Sequence, residues 1–331
     1  MVQNIDEAVA MLAVLRSLTS QEAGALLDPM ILDQSVELSD AIAMADTSSL
    51  YRTLIDGFSY QGIRDSHARA YIAKHGNAEW HGIAGSLASQ PLCPKLEDFD
   101  SYRGCRYRKA TVSCANPDGL AACPVPKLVL RKGVLNEQAF SLYFFIRDEC
   151  DGDLVGFIDR LLYVTDDEER AVDAGREILL TAFTQIVGVS RKLAGMMLSN
   201  ILLSAGHDRK RWNIVGASIV VVDSLVHNFL HRTGILTAYE ADHLYGERCY
   251  GSTGCETVLR DLAARLSTVD GSISPRSLQH AVWRFCAADE LAVCNGNNIR
   301  DSFPCQLEWC ALKAHCSRLP LRPAKPTLEE I

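Results

Sequence analysis

The sequence predicts an all-α protein. Apolar residues recur at helical spacing through most of the chain, and no stretch keeps a sustained period-two alternation. The one strand-like run, residues 219–222, is too brief to found a sheet. Hydrophobic residues make up 48% of 331, enough to give a real core to one large domain or two intimate ones.

Residues 6–18 and 38–45 read as two short helices in a segment with a marked acid excess. Residues 48–76 read as two more, parted near Gly62. Further helices are expected over 138–147, 153–163, 168–186, 191–205 and 278–287. Residues 91–133 break the pattern. Five of the eleven prolines and four of the twelve cysteines fall there, and within 101–132 seven Lys and Arg face a single Asp. This is expected to be an irregular, basic, cysteine-bearing insertion. The proline-rich tail from 320 to 331 is expected to be extended.

The formal net charge of −8 argues against a protein that coats nucleic acid by bulk electrostatics, so any such contact must come from local basic patches. Between 186 and 235 six basic residues (Arg191, Lys192, Arg209, Lys210, Arg211, Arg232) face Asp208 and Asp223, a local balance of +4. The start, MVQNIDEAVA, lacks the basic and apolar regions of a secretory signal and is taken as mature sequence. No apolar run reaches membrane-spanning length. The expectation is a soluble, cytoplasmic monomer, nucleoid-associated in a prokaryote, where clustered cysteines point to metal or redox chemistry more than to disulfides.

Cys294, Cys305, Cys310 and Cys316 are separated by ten, four and five residues. Four thiolates so gathered suit a 4Fe–4S cluster; a four-thiolate zinc site and unligated thiols are the alternatives. A second quartet, Cys93, Cys105, Cys114 and Cys123, has gaps of eleven, eight and eight. It is a candidate second metal site, zinc or iron–sulfur, against buried free thiols. Nearby Arg103, Arg106, Arg108 and Lys109 alternate with Tyr102 and Tyr107, a mixture suited to phosphates and unstacked bases, or to a solvated basic loop. Cys150, Cys249, Cys255 and Cys286 stand apart and are read as core fillers.

The segment 184–234 is the most informative. A helix ends near Ile186, Gly188 permits a tight turn, and Ser190 is placed to cap the next helix, which opens at Arg191-Lys192. The free amides of such a helix start suit a phosphate. An apolar run then delivers Val222-Asp223-Ser224, followed by Val226, Phe229 and Leu230 at helical spacing and by His231-Arg232-Thr233-Gly234. Taken singly, such a lysine is commonly surface and such an aspartate commonly an N-cap.

In order and spacing, Val187-Gly188-Val189-Ser190-Arg191-Lys192-Leu193-Ala194 and Val222-Asp223-Ser224 resemble the signature of the helix-hairpin-helix base-excision DNA glycosylases, closest to the endonuclease III-like iron–sulfur branch. The departures are Val187 for the usual Pro, Ser190 for the second Gly, Leu193 for Thr and Leu225 for His.

The resemblance implies a six-helix barrel over 51–214 with its hairpin at 184–192. It also implies an iron–sulfur lobe built from both chain ends, 1–50 with 215–331. The implied partner is double-stranded DNA carrying a damaged or modified base, which is flipped out of the duplex. Lys192 then attacks the sugar C1′ to form a Schiff base, giving lyase activity, while Asp223 stabilises the oxocarbenium-like sugar or takes a proton. Gly188, Ser190 and Arg191 would grip phosphate; Arg103, Arg106 and Lys109, in an insertion that the family's core lacks, are DNA-contact candidates on their local composition alone. Gln61 stands where the family places a glutamine that fills the hole left by the flipped nucleotide; a polar cap between helices is the other reading. The C-terminal quartet falls where that branch holds its cluster, although only the last gap agrees. A monofunctional glycosylase, or a degenerate relative that binds DNA without cutting, is the runner-up. Oxidised pyrimidines are the substrate suggested by analogy.

Overall fold

The computed structural model describes residues 2–19, 35–60, 63, 65–88, 93–163, 168–206, 208–270 and 273–322. Gln61 and the tail from 323 onward therefore lie outside the described residues. The described chain is helical, with no strand among the described residues beyond an isolated bridge between Arg108 and Ser113. None of these helices is long and apolar enough to cross a membrane.

The helices, numbered in chain order, are α1 (Ile5–Thr19), α2 (Ser35–Ala43), α3 (Thr47–Phe58), α4 (Asp65–His75), α5 (Trp80–Ala88), α6 (Phe99–Arg103), α7 (Asn136–Phe144), α8 (Leu154–Leu162), α9 (Glu168–Phe183) and α10 (Arg191–Leu203). They continue as α11 (Lys210–Ser218), α12 (Ser224–Thr233), α13 (Ile235–Ala238), α14 (Cys255–Asp270) and α15 (Pro275–Cys286). The chain divides into two compact units, Leu27–Gly216 and Met1–Leu26 with Ala217–Ile331. Helix α2 packs on α3 and so falls in the central unit, whereas the sequence reading grouped residues 1–50 with the C-terminal part. The reason is local. Asp46 caps α3, its carboxylate accepting the Ser49 amide, and that short connection folds α2 back on its successor.

The central unit is built around α3. Leu50, Tyr51, Leu54, Ile55 and Phe58 all have 1% exposure or less, and the Tyr51 hydroxyl donates to the Ala139 carbonyl at 3.0 Å. Gly57 lets α3 approach α10, because a Cβ there would collide with the Met197 sulfur. Helix α7 is buried on every face and runs into a wider π-type turn, Phe145–Glu149, which shortens the helix expected over 138–147. The insertion is irregular, as expected, stepping through short 3-10 turns such as Lys109–Thr111 and Val125–Lys127.

In the terminal unit α1, α12, α14 and α15 pack on one another. Ala8, Met11, Leu12 and Leu15 make a single stripe on α1 that meets Leu259, Leu262, Leu278 and Val282 in one core. After α15 the chain turns back over the end of α12. The Ser317 amide donates to the Thr233 carbonyl at 3.0 Å and the Leu319 amide to the Arg232 carbonyl at 2.8 Å. Those carbonyls would otherwise be left without partners by the end of the helix.

Candidate functional site: a hairpin, two cysteine quartets and a histidine–cysteine group

In the central unit, α9 and α10 are joined by a tight turn over residues 184–190. Gly188 sits at φ +77°, left-handed backbone that glycine adopts without strain. The Val189 amide closes the turn on the Ile186 carbonyl (3.0 Å), and the Val187 amide donates to Ser141 Oγ (2.9 Å). Ser190 caps α10, its hydroxyl accepting the Leu193 amide at 3.3 Å. Gly188 and Ser190 are exposed, and Lys192 is half-buried in the first turn that follows.

Arg191 is engaged. Its guanidinium forks onto Glu177 at 2.8 and 2.9 Å. Burial alone would raise the Glu177 pKa, but the hydrogen bond and charge of Arg191 outweigh it and hold the carboxyl below its ordinary range. Other cations of this stretch are similarly held. Arg209 pairs with Asp159 at 3.1 Å, and Arg232, at 3% exposure, pairs with Asp301 at 2.6 Å. The basic face implied by the +4 count is thereby smaller than the sequence suggests.

Asp223 lies in the terminal unit as the N-cap of α12, accepting the Val226 amide at 2.8 Å. The extended residue before it is clamped by Tyr250, whose hydroxyl accepts the Val222 amide (3.1 Å) and donates to the Val222 carbonyl (3.0 Å).

All twelve cysteines are free. Cys294, Cys305, Cys310 and Cys316 line one small cavity, walled by Phe229, Phe285, Ile299 and Leu312 and by Arg232 and Thr233 of α12. Cys93, Cys105, Cys114 and Cys123 line another with Lys95, Leu96 and Asn116. Both quartets repeat one local motif, in which a sulfur accepts the amide two residues on: Tyr107 onto Cys105, Val125 onto Cys123, Leu312 onto Cys310, and Arg318 onto Cys316 at 3.3 Å. The Asn116 amide donates to the Cys93 sulfur at 3.2 Å. Burial pushes the Cys105 and Cys316 thiols up to about 12, so each stays protonated unless a cation stands beside it. Sulfurs that accept amides yet are too buried to ionise alone are suited to a bound metal.

Among the other insertion residues, Arg103 is exposed at the end of α6, 3.9 Å from Asp100, and Arg106 and Lys109 are also exposed. Tyr102 corrects the sequence reading. It is fully buried, with its hydroxyl donating to the Glu137 carbonyl at 3.0 Å, and presents no face to a base.

A third group was missed by the sequence reading, which took Cys249 and Cys255 for core fillers. With His227 and His243 they form a set whose ligand atoms all lie within 4.8 Å of one another and which can hold a metal ion. His227 comes from α12, His243 from the following loop, Cys249 from the turn Glu247–Tyr250, and Cys255 from the first position of α14. Hydrogen bonding from Cys255 and His227 and from the Gly246 amide holds the Cys249 thiol well below the usual thiol range. The same contact, with burial, drives Cys255 up. The available signal was four ligand-type residues within 29 positions; two of them lie in a glycine-bearing stretch that reads as ordinary loop.

Comparison of the chain with protein-family models, with curated proteins and with solved structures gives no match in any of the three.

Proposed function

We propose that the chain is a DNA glycosylase of the helix-hairpin-helix type with lyase activity, acting on duplex DNA that carries a damaged or modified base. The observation that carries this reading is the hairpin. A left-handed Gly188 and a capping Ser190 leave an exposed helix start with Lys192 half-buried in its first turn, the combination a phosphate grip and a nearby nucleophile require. Asp223, fixed as an N-cap after a clamped extended segment, supplies the second group that the chemistry needs.

In the proposed reaction the target nucleotide leaves the base stack. The neutral Lys192 amine adds to C1′, and the bond to the base breaks with its electron pair leaving on the base nitrogen, which is protonated. The added amine loses one proton, and its lone pair then forms the C=N bond of the protonated Schiff base as the C1′–O4′ bond breaks and O4′ takes up a proton from water. Asp223 enters the reaction ionised, balances the positive charge that develops on the sugar, and then takes the proton that the amine loses. Gly188 and Ser190 hold the flanking phosphate, and the exposed Arg103, Arg106 and Lys109 add charge for the duplex.

The C-terminal quartet is proposed to hold a 4Fe–4S cluster and the insertion quartet a second metal centre, iron–sulfur or zinc. The convergence of each set on one cavity and the amide-to-sulfur bonds support both. A bound cluster would supply architecture to the segment that caps α12.

Borohydride trapping tests the enzyme. Incubated with duplexes that carry a panel of oxidised and alkylated bases, the wild-type chain is expected to yield a covalent protein–DNA adduct on at least one, and Lys192→Ala none. Base release without an adduct would reduce the activity to that of a monofunctional glycosylase. Neither release nor adduct across the panel would overturn the proposal.

A further inference from the structure

The His227, His243, Cys249 and Cys255 group shares no residue with either cysteine quartet or with the hairpin. We infer that it is a closed, tetrahedral zinc site whose work is architectural: it ties the loop between α13 and α14 to α12, and so fixes the helix that Asp223 caps. The inference does not rest on the glycosylase reading.

The distances argue for a single ion. The His227 Nδ1 to Cys255 Sγ separation is 3.4 Å, Cys249 Sγ to His227 Nδ1 is 3.6 Å, and Cys255 Sγ to His243 Nε2 is 3.4 Å. A tetrahedral zinc with Zn–S of about 2.3 Å and Zn–N of about 2.0 Å holds its nitrogen and sulfur ligands roughly 3.5 Å apart. The two imidazoles lie beside each other with ring centres 5.1 Å apart.

Hydrogen bonds alone do not satisfy this set. His243 Nδ1 lies 2.6 Å from the Ala241 carbonyl, which can only accept, so Nδ1 carries the proton and Nε2 turns its lone pair toward Cys255. This is the outer bond that orients a metal-ligating histidine. The Cys255 thiol has one proton, and both His243 Nε2 and the Cys249 sulfur face it. His227 Nδ1 faces both sulfurs. A single thiol proton then stands before two acceptors, whereas a cation at the centre satisfies all four groups at once.

The donor set and its surroundings select the metal. Two thiolates and two imidazoles in a compact tetrahedron suit zinc, and four protein donors leave no open position for a catalytic water. Cys249 and Cys255 have no exposure and His227 has 5%, with His243 half-buried, so three of the four ligands are sealed from solvent as in a structural centre. The mechanical consequence follows from position. His227 is four residues, about one helical turn, beyond Asp223. The turn that carries Cys249 also carries Tyr250, whose hydroxyl clamps Val222 immediately before that aspartate.

Elemental analysis of the full chain, purified with zinc and iron supplied, is the test. At least one zinc per chain is expected, falling by one equivalent in His243→Asn and in Cys249→Ser, while Cys310→Ser retains it. Should either variant fail to fold, zinc-edge X-ray absorption of the wild-type chain is expected to show imidazole nitrogen together with sulfur around the metal. Zinc content unchanged in the well-folded variants, a zinc shell without nitrogen, or a wild-type chain that binds no zinc would each overturn the inference.

Discussion

Asp223 accepts the Val226 amide at the start of α12, and the proposed chemistry asks the same carboxylate to balance charge on a sugar. Two substitutions separate those duties. Asn is about as good an N-cap as Asp, whereas Ala forfeits about 1 kcal/mol at such a position. Asp223→Ala is therefore expected to lower the denaturant midpoint and abolish base release together. Asp223→Asn should keep the midpoint near wild type and lose release, by something like 10²-fold or more. Equal activity in Asn and wild type would leave Asp223 as a cap alone. At this scale the sequence was readable wherever the interaction is local. Ser190 and Asp223 cap the helices that follow them, and a cap needs only its next three residues. His227 and His243 were not readable, because their shared partners are Cys255 and Cys249 and only the folding of a loop back onto α12 brings them together. Arg191, Arg209 and Arg232 counted as free charge until Glu177, Asp159 and Asp301 were found beside them.

Helices α9 and α10 were legible because apolar periodicity, a glycine turn and a capping serine agree over one continuous stretch. Helix α5, with the sequence WHGIAGSLA, was not, since its two glycines and short length mask the period. Helix α14 carries a readable stripe at Leu259, Leu262 and Leu266, but it follows Gly251 and Gly254 and was not among the helices expected from the sequence. Close approach between elements is invisible in a single sequence, and Gly57 is the clearest case. Filling that position forces Met197 out of place between α3 and α10. Gly57→Ala is expected to destabilise the chain by about 1–3 kcal/mol, as overpacking does, despite the better helix propensity of alanine. Urea unfolding measures it, and a stabilised variant would show that Met197 moves aside freely.

At the scale of the whole chain, helical class could be read from the absence of alternation, and the positions of both cysteine quartets from their clustering. The division into units was harder, because the short turn at Asp46 rather than any change of composition carries α2 into the central unit. The quartets differ from the His and Cys group in what they should hold. Cys310→Ser is expected to lose iron and visible absorbance together while zinc remains, as measured by elemental analysis beside the absorption spectrum. Iron retained at the wild-type level would remove the C-terminal cluster. The terminal unit has one more consequence, for synthesis. Met11, Leu12 and Leu15 of α1 find their packing partners in α14 and α15, more than two hundred residues later in the chain. On the ribosome α1 must wait, its oily face uncovered, until α14 and α15 have emerged. Chains stalled or truncated before α15 would therefore carry an unsheltered N-terminal segment, a natural target for chaperones and proteases.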